Sequence, residues 1–522
     1  MEFLQGIEPR EYQKRIYETC IEKNCLVVLS TGLGKTLIAL MVAIERMKKF
    51  PGKKVVFLAP TRPLADQHLR YFKKHLPELF ADMQIFTGMV LPENRKKIWQ
   101  TSDIIFSTPQ CIANDVRNNL YDLSEVCLLV EDEAHRCMKN YDYNFIAQNY
   151  MKNAEHPRII GLTASPGSEK AKIKEICRNL SIEEVELRNR ESQDVKSYVQ
   201  ELEFEKIGLD FPPELEEIKQ ALLRLFEKYV DELKSRRLLY GFPTKVALIE
   251  LQKKIMHVIS MGNKSFNYLA AASVCAQAIK IQHSLELLET QTVKSFNTYL
   301  KTLLDQASKK QSRGVVKLVA RPEFTFAYLR SNILLQEGKE HPKVQVLIDL
   351  VKKEFQNNKD GKIIIFSQFR ETASIISKNL NELKNEGIKA KIFVGQAKKT
   401  NRGETTGLNQ VEQRRVINEF SSGEINVLCA TSIGEEGLDI PEVNTVIFYE
   451  PIPSAIRAIQ RAGRTARLIK GKLIILMTKK TRDEAYFYAS KAKEKKMHES
   501  ISSIRDDMKI KRDRISEAQR KL

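Results

Sequence analysis

Two short polar segments of the chain combine residue types that bind phosphate groups and divalent cations. The first, residues 30–36, reads Ser-Thr-Gly-Leu-Gly-Lys-Thr and separates an apolar run from a helix-like stretch. Gly32 and Gly34 let the backbone curl so that its N–H groups face an anion. Lys35 could then reach the β- and γ-phosphates of a nucleotide, and Thr36 could bind magnesium. The candidate nucleotide-binding residues of this loop are Thr31, Gly32, Gly34, Lys35 and Thr36.

The match to the phosphate-loop pattern is incomplete at one position. The strict pattern also has an outer glycine before this loop, and the chain has no glycine there. The alternative interpretation is a glycine-rich turn that carries Lys-Thr by chance. The strand–loop–helix context favours phosphate binding, because the following helix points its positive end and its unpaired N–H groups at the same anion.

The second segment, residues 131–135, reads Glu-Asp-Glu-Ala-His and ends an apolar run that is predicted as a strand. Parallel sheets place their sites at the C-terminal ends of strands. Asp132 is therefore predicted to hold magnesium, and Glu133 to orient or deprotonate an attacking water. His135 could couple the nucleotide state to neighbouring segments. An isolated acidic cluster would more often be a surface loop. This cluster directly follows a predicted strand, which favours a functional site.

Apolar, β-branched runs alternate with helix-like stretches in two parts of the chain, which predicts two α/β domains with parallel sheets. The predicted strands of the first domain are 25–30, 54–59, 103–107, 127–131 and 158–162. Those of the second domain are 362–367, 390–394, 426–430, 445–449 and 471–477. Between the two, helical periodicity predicts helices over 214–234, 244–260 and 270–304.

These patterns predict four parts of the chain. They are a first α/β domain at 1–200, a mainly helical insert at 201–335, a second α/β domain at 336–485 and a charged helical tail at 486–522. The tail either packs back on a domain or ends as a solvated helix.

Composition limits the class of protein. The chain has 522 residues and a formal charge of +19, so its surface should attract polyanions such as nucleic acid, although a lysine-rich solvated surface is the alternative. Its eight cysteines form no CxxC pair, which argues against a zinc ribbon or a disulfide framework. No apolar stretch of membrane-spanning length and no secretory signal are found. We therefore expect a cytoplasmic protein, nucleoid-associated if it is prokaryotic.

The two segments belong to a longer series of motifs in a characteristic order. The Asp-Glu-Ala-His box and the Gly-Lys-Thr loop resemble those of DEAH-type members of helicase superfamily 2. The other segments that carry this resemblance are 9–13, 59–64, 107–110, 163–165, 366–370, 430–439 and 460–467. The resemblance implies two RecA-like domains, with ATP and Mg²⁺ bound in the cleft between them.

A finer resemblance is to the archaeal Hef helicases and the Fanconi anaemia M helicases. It rests on Glu-Asp-Glu-Ala-His, on Thr-Ala-Ser-Pro at 163–166, on Thr-Arg-Asp-Glu-Ala-Tyr at 481–486 and on the helical insert. Those proteins act on branched DNA, such as forks and four-way junctions. Hef-type proteins often carry a C-terminal nuclease, but its Glu-Arg-Lys-x-x-x-Asp signature is absent here. A nuclease domain or subunit could be a partner, and no nuclease activity is assigned to this chain.

The resemblance implies roles for further residues around ATP. Arg10 and Gln13 resemble an adenine-recognising motif, and the cleft residues Gly437 and Asp439 would sense both ligands. Arg464 and Arg467 are three residues apart and would share one helix face, from which they could act as arginine fingers; the alternative is two surface arginines. The candidate catalytic residues are Lys35, Asp132, Glu133, Gln460, Arg464 and Arg467.

Contacts with nucleic acid are predicted at two places. In the motor domains the candidates for phosphate-backbone contacts are Arg62, Thr108, Gln368 and Thr431. In the insert they are Lys253, Lys254, Lys309, Lys310 and Arg313. These insert clusters could grip a duplex or a branch point, or could simply be solvated helix faces.

Three functions remain open at this stage. An ATP-driven helicase or translocase on branched DNA, in DNA repair or stalled-fork processing, is the first. A sensor ATPase or helicase that responds to double-stranded RNA is the second, since antiviral RNA sensors and Dicer share the helical insert. A binding scaffold with an inactive motor is the third, and the intact candidate catalytic residues argue against it.

Overall fold

The computed structural model describes residues 3–383, 387–395, 399–401, 404–431, 440–454, 461, 465 and 470–520. These residues form two parallel sheets, a helical bundle that lies between the sheets in the chain, and a long C-terminal helix. The predicted fold class, two RecA-like domains with a mainly helical insert, is confirmed.

The first domain is a seven-stranded parallel sheet in the order β3-β4-β2-β5-β6-β1-β7. Its strands are β1 (Cys25–Leu29), β2 (Lys54–Leu58), β3 (Met83–Phe86), β4 (Ile104–Ser107), β5 (Val126–Asp132), β6 (Ile159–Thr163) and β7 (Glu184–Arg188). Its helices are α1 (Glu11–Glu22), α2 (Lys35–Lys49), α3 (Arg62–His75), α4 (Pro92–Thr101), α5 (Pro109–Arg117), α6 (Asp142–Asn153) and α7 (Lys170–Asn179), with 3₁₀ turns at Ala134–Arg136 and Lys196–Tyr198.

The central strands of this sheet are buried along their whole length, because helices cover both faces. That is why their sequences are continuous apolar runs and why the sequence analysis found them. The edge strands β3 and β7 were not predicted, because their sequences Met-Gln-Ile-Phe and Glu-Val-Glu-Leu-Arg mix polar with apolar residues.

The insert is a bundle of helices around one apolar core. Its helices are α8 (Pro213–Ser235), α9 (Lys245–Ser260), α10 (Phe266–Thr290), α11 (Val293–Ser308), α12 (Arg313–Val319) and α13 (Pro322–Gln336). The single helix predicted over 270–304 is wrong, since the chain breaks between α10 and α11. Thr292 caps α11 there by accepting a hydrogen bond from the Ser295 amide.

The second domain contains a six-stranded parallel sheet in the order β10-β13-β9-β14-β15-β8. Its elements are β8 (Leu202–Leu209), α14 (Pro342–Asn357), β9 (Ile363–Phe366), α15 (Arg370–Asn381), β10 (Ala390–Phe393), the hairpin β11 (Lys399–Asn401) and β12 (Glu404–Thr406), α16 (Gln410–Ser422), β13 (Val427–Ala430), β14 (Thr445–Phe448) and β15 (Gly471–Thr478).

The strand β8 corrects the predicted start of the insert at residue 201. This strand pairs in parallel with β15 over its eight residues, from Leu202 opposite Gly471 to Leu209 opposite Thr478. The second sheet is therefore built from segments on both sides of the insert. The chain leaves the second domain after β8, forms the bundle and then returns to the same domain.

The last helix, α17 (Arg482–Arg520), joins all three parts of the molecule. At its start the Arg482 amide donates to Glu289 of the insert at 2.9 Å, and Phe487 packs in the core of the second domain. Further along, Met497, Ile501 and Ile504 are buried in the core of the first domain. Of the two alternatives for the tail, the structure favours packing on a domain. No described helix is long and apolar enough to span a bilayer.

Candidate nucleotide site

Sheet topology brings the predicted segments of the first domain together. The strands β5, β6 and β1 are neighbours in the sheet. The acidic box ends β5, Thr163 ends β6, and the glycine-rich loop follows β1. Because the strands are parallel, all three segments lie at the same edge, where such sheets place ligands.

The glycine-rich loop has the backbone conformation that phosphate binding needs. Gly32 has a φ of 86° and Gly34 a φ of 82°, both in the left-handed region that glycine tolerates. Gly34 is also the N-cap of α2, whose first N–H groups have no partner within the helix. Lys35 begins this helix, and its Nζ donates to the Leu29 carbonyl at 2.9 Å, so the lysine lies across the loop.

The N-terminal motif contacts the loop directly. The Gln13 side chain donates to the Leu33 carbonyl at 3.0 Å, and its Oε1 accepts from the Arg10 amide at 2.9 Å. A Cβ added to Gly34 would lie 2.3 Å from Gln13 Nε2, so a side chain there would force the glutamine away. Tyr12, which the sequence analysis missed, donates to the same carbonyl at 2.8 Å. Gln13 and Tyr12 thus fix the conformation of the loop.

A buried histidine links the two predicted magnesium ligands. His68 on α3 lies with its Nε2 at 2.8 Å from Asp132 Oδ2 and its Nδ1 at 3.5 Å from Thr36 Oγ1. A carboxylate only accepts, so Nε2 donates to Asp132 and Nδ1 can accept from the Thr36 hydroxyl. His68 was not among the residues predicted from the sequence. The available signal was its place among Ala65, Leu69 and Phe72 on the buried face of α3.

This histidine affects the charge of Asp132. Burial would raise the pKa of Asp132, but the hydrogen bond that His68 donates and the nearby charge of Lys35 lower it below its usual value. Asp132 is thus anionic at neutral pH although it is 5% exposed. The preceding Glu131 is the opposite case, since burial raises its pKa well above the usual value.

The donors present at this edge fit magnesium. Among the described residues no three His, Cys, Asp or Glu side chains are grouped to hold a metal ion. Mg²⁺ in nucleotide sites takes only one or two protein ligands and completes its shell with phosphates and water. An anionic Asp132 and a Thr36 hydroxyl, both touched by His68, supply that set of ligands. Bound there, the ion would neutralise charge on the phosphates.

Glu133 is held in a strained conformation beside a polar relay. Its φ of 51° and ψ of 46° are left-handed, which is uncommon for a residue with a side chain. Its Oε2 lies 3.2 Å from His135 Nδ1, and the same nitrogen lies 3.2 Å from Thr163 Oγ1. Thr163 Oγ1 in turn accepts from the Ser165 amide at 3.2 Å. The acidic box is thereby connected to the Thr-Ala-Ser segment, as the role suggested for His135 requires.

The series of side-chain contacts from Glu133 through His135 and Thr163 to Ser165 continues to the C-terminal helix. Ser165 Oγ lies 2.8 Å from Met497 Sδ, and Ser500 donates to the Ser168 carbonyl at 3.3 Å. Lys170 donates to Ser503 at 2.6 Å. The helix α17, which begins in the second domain, therefore contacts the segment that follows β6 in the first.

A cavity of about 920 Å³ lies between the two sheets. Its walls include Thr31 of the glycine-rich loop, Ala164, Pro451 after β14, and Met497 of α17. Contacts between the domains include those of Arg190, which donates to the Thr465 carbonyl at 2.9 Å, and of Arg414, which lies 3.6 Å from Asp66. The loop thus faces the second domain, the direction from which the predicted arginine fingers would come.

The remaining predicted contacts fall at different places. Arg62 and Thr108 follow the adjacent strands β2 and β4 at the same edge of the first sheet. Gln368 follows β9, and its amide donates to Glu450; Thr431 follows the adjacent β13. The basic residues of the insert lie on α9 and on the end of α11 and the start of α12. The residues outside the described part are Gly437, Asp439, Gln460, Arg464 and Arg467.

Three family models match the chain in order. The DEAD/DEAH box helicase model matches residues 10–173, and the helicase conserved C-terminal domain matches residues 342–469. Between them, a model described as the helical bundle of an ATP-dependent RNA helicase matches residues 214–333.

Solved and curated relatives agree with these matches. The crystal structure of the Pyrococcus furiosus Hef helicase domain is 41% identical, covers 94% of this chain and all of that chain, and has a TM-score of 0.70. A Methanocaldococcus jannaschii protein, provisionally named an ATP-dependent RNA helicase, is 38% identical over 500 residues, which are 95% of this chain. The Fanconi anemia group M protein homolog of Mus musculus is 31% identical over 96% of this chain.

The curated relatives are longer than this chain, which spans 61% of the Methanocaldococcus protein and 26% of the mouse protein. The Hef helicase domain, in contrast, is covered completely and at high identity. The chain therefore belongs to the superfamily 2 DEAD/DEAH-box helicases, a family of ATP-hydrolysing enzymes, and resembles within it the helicase domain of Hef and the Fanconi anaemia M proteins.

Proposed function

We propose that the chain is an ATP-dependent DNA helicase or translocase that acts on branched DNA such as forks and four-way junctions. The observation that carries the proposal is the 41% identity to the Hef helicase domain over 94% of the chain. Relatives named ATP-dependent DNA helicase support it, among them mph1 of Neurospora crassa, 32% identical over 489 residues. The biological setting we propose is DNA repair or the processing of stalled forks.

The first domain would bind and activate ATP. The loop amides and Lys35 bind its phosphates, while Thr36 and Asp132 hold magnesium. Glu133 is the base that orients or deprotonates water, and it takes a left-handed backbone conformation directly after the strand β5. The contact between Glu133 and His135 then makes the position of the base depend on the Thr-Ala-Ser segment.

The second domain would complete the site only when the cleft closes. Arg464 and Arg467 stabilise charge that develops on the γ-phosphate, and such arginines contribute about 10³–10⁵ in rate. ATP therefore favours the closed state, and hydrolysis followed by release reopens it, which is a population shift by differential affinity. Because β8 and β9, on either side of the insert in the chain, belong to the same second sheet, closure moves the insert together with the second domain.

Movement along DNA would use contacts with the phosphate backbone. Arg62 and Thr108 in the first domain, and Gln368 and Thr431 in the second, form the two grips whose spacing changes in each cycle. Backbone contacts position a strand without reading its bases, so little sequence preference is expected.

Steady-state ATP hydrolysis with a panel of nucleic acids tests the proposal. The panel contains no nucleic acid, single-stranded DNA, a fork, a four-way junction and double-stranded RNA. Lys35→Ala serves as the inactive variant and Lys49→Ala, an exposed position at the other end of α2, as its matched control. Strongest stimulation by forks or junctions, lost in Lys35→Ala alone, supports the branched-DNA motor. Equal rates with every DNA would contradict it.

A second candidate is an RNA helicase or an ATPase stimulated by double-stranded RNA. It is favoured by the description of the matching helical bundle and by the name of the Methanocaldococcus relative, both of which mention an RNA helicase. Strongest stimulation by double-stranded RNA in the same panel would select it over the DNA motor.

A further inference from the structure

The insert exposes an unusual amount of apolar surface in one segment. Of the twenty large apolar side chains exposed among the described residues, eight lie between residues 240 and 269. We call their surface the α9 face. Its residues are Tyr240, Phe242, Val246, Ile249, Met256, Met261, Phe266 and Leu269. A concentration of exposed apolar side chains marks an interaction site more often than single scattered residues do.

The helix α9 is apolar on two opposite sides. Leu248, Leu251 and Ile255 enter the core of the insert. Val246, Ile249 and Met256 recur at helical spacing on the outward side, and none of them is buried. The inward side accounts for folding of the bundle, so the outward side is left for another purpose. A helix of sixteen residues gives this side a length of about 24 Å.

The segment that precedes α9 is held against the bundle. The Arg236 guanidinium donates to Asn267 Oδ1 at 3.0 Å, and Gln282 donates to the Pro243 carbonyl at 3.2 Å. The segment between α8 and α9 thus runs along α10. Yet Phe242 is 89% exposed and Tyr240 is 78% exposed, while Phe266 at the start of α10 is 82% exposed. These rings stand out from an ordered backbone.

Charge around the face is strongly one-sided. Residues 234–269 contain seven lysines and arginines and a single acidic residue, Glu250. Arg236 pairs with Glu232, and Lys245 pairs with Glu286. The other five pair with no carboxylate among the described residues: Lys234, Arg237, Lys253, Lys254 and Lys264. Lys253 lies within the apolar stripe of α9 itself.

The combination of exposed apolar side chains and basic residues distinguishes between the ligands that the α9 face could bind. The backbone of a duplex would be satisfied by cations alone and would leave the rings and methionines in water. Single-stranded nucleic acid needs both features, since its phosphates seek cations and its unpaired bases stack on apolar and aromatic side chains. We propose that the α9 face binds unpaired nucleotides of a single strand next to the branch point of a fork. The proposal rests on the function proposed above and adds which part of the branched substrate the insert takes.

Binding of labelled DNA by anisotropy tests the proposal. The probes are a fork with single-stranded arms, oligo(dT) and a blunt duplex of the same length as the fork stem. The variant is Phe242→Ala with Phe266→Ala, and Leu79→Ala, a 99% exposed apolar position of the first domain, is the matched control. Thermal unfolding confirms that each variant is folded.

We expect the substitutions to weaken binding only of probes that contain unpaired bases. Stacking of one base contributes about 1–3 kcal/mol, so the double variant should bind fork and oligo(dT) at least ten times more weakly. Binding of the blunt duplex should change less than two-fold, and the control should match wild type on every probe. A separate Lys253→Ala, Lys254→Ala variant should flatten the salt dependence of fork binding, which the ring variant leaves unchanged.

Several outcomes would overturn the proposal. Wild-type affinity of the ring variant for fork and oligo(dT), or an equal loss on the blunt duplex, would show that the rings do not bind unpaired bases. Unchanged binding of all DNA together with loss of self-association in sedimentation would assign the face to a protein contact.

A different outcome would contradict the proposed function alone. If the wild-type protein binds oligo(dT) through the rings but does not prefer forks, the branched-DNA function is wrong and the stacking surface is retained.

Discussion

Each of the two parallel sheets places a buried carboxyl group at the end of a strand, and the pKa values of the two groups shift in opposite directions. Asp132 ends β5 of the first sheet, and its pKa is lowered although burial acts to raise it, because His68 donates to it. Glu450 follows β14 of the second sheet, and burial raises its pKa to about 7 in spite of the charges of Lys343 and Arg461. The ends of strands in the two sheets therefore carry one carboxyl group whose pKa is lowered and one whose pKa is raised to about 7.

The difference shows what each domain contributes. A carboxylate kept anionic by a side-chain donor can hold a cation, so the first sheet carries the chemistry. Glu450 accepts from the Gln368 amide while its Oε2 has no hydrogen-bond partner among the described residues. Beside it, Lys343 donates to Asp483 and to the Thr290 carbonyl, both at 2.7 Å. This buried cluster ties α14, α17 and the end of α10 together, so the second domain holds the insert in place.

Loss of the base in the first domain should have the largest effect. Glu133→Gln is expected to lower kcat for ATP by about 10²–10⁴, because a positioned general base contributes that much. Binding of a fluorescent ATP analogue should persist. Glu78→Gln, at an exposed site of the same domain, is the control. A rate within three-fold of wild type would remove Glu133 from the mechanism and weaken the contrast between the domains.

Breaking the buried Lys343–Asp483 pair of the second domain should lower the free energy of unfolding and should not affect the chemical step. Asp483→Ala leaves the fully buried Lys343 without its carboxylate, which typically costs about 3–5 kcal/mol. Urea unfolding measures this, and Asp360→Ala, an exposed position of the same domain, should unfold as wild type does. An unchanged midpoint for Asp483→Ala would mean that the cluster does not hold the second domain together.

Substitution of His68 tests the donor that distinguishes the two carboxyls. His68→Asn is expected to shift the Mg²⁺ dependence of nucleotide binding to concentrations about 10–100 times higher, because residues that orient metal ligands contribute on that scale. His75→Asn is a matched control on the same helix, since His75 is equally buried but bonds to the Gln5 carbonyl. If His68 only packs the core, both variants will leave the magnesium curve unchanged.

The pH dependence of stability tests the raised pKa of Glu450. Its folded pKa of about 7 lies above the usual 4.5, so its contribution is complete below pH 4.5 and is lost as the pH rises through about 7. Between pH 5 and pH 8 the unfolding free energy of wild type should therefore fall relative to Glu450→Gln by about 2 kcal/mol. Urea midpoints at four pH values measure this. A constant difference between the two proteins would contradict the assignment.

The sequence predicted the parts of the site that depend on neighbouring residues in the chain. The glycine-rich loop and the acidic box each carry their strand, turn and functional side chains within one short segment, so their geometry follows from local rules. The fold class was accessible for the same reason. The ligand roles assigned to these residues stay predictions until the variants are measured.

Other parts depend on contacts between distant segments and could not be predicted. The function of His68 appears only when α3 packs beside β5, and β8 is a strand only because β15 offers a free edge. Whether α9 is buried on one side or two cannot be decided from its sequence, since apolar residues lie on two opposite sides of the helix. Lys253 and Lys254 on this helix were predicted from the sequence, but the aromatic side chains of the α9 face were not.

Strand separation on a synthetic fork with a labelled arm tests the central claim most directly. The protein is mixed with the fork, Mg²⁺ and ATP, and release of the labelled strand is followed by fluorescence beside Glu133→Gln and Glu78→Gln. The account predicts release that requires ATP, is lost in Glu133→Gln and is retained in Glu78→Gln. Rapid fork-stimulated ATP hydrolysis with no strand release or branch movement would contradict it, because hydrolysis would then not be coupled to motion on DNA.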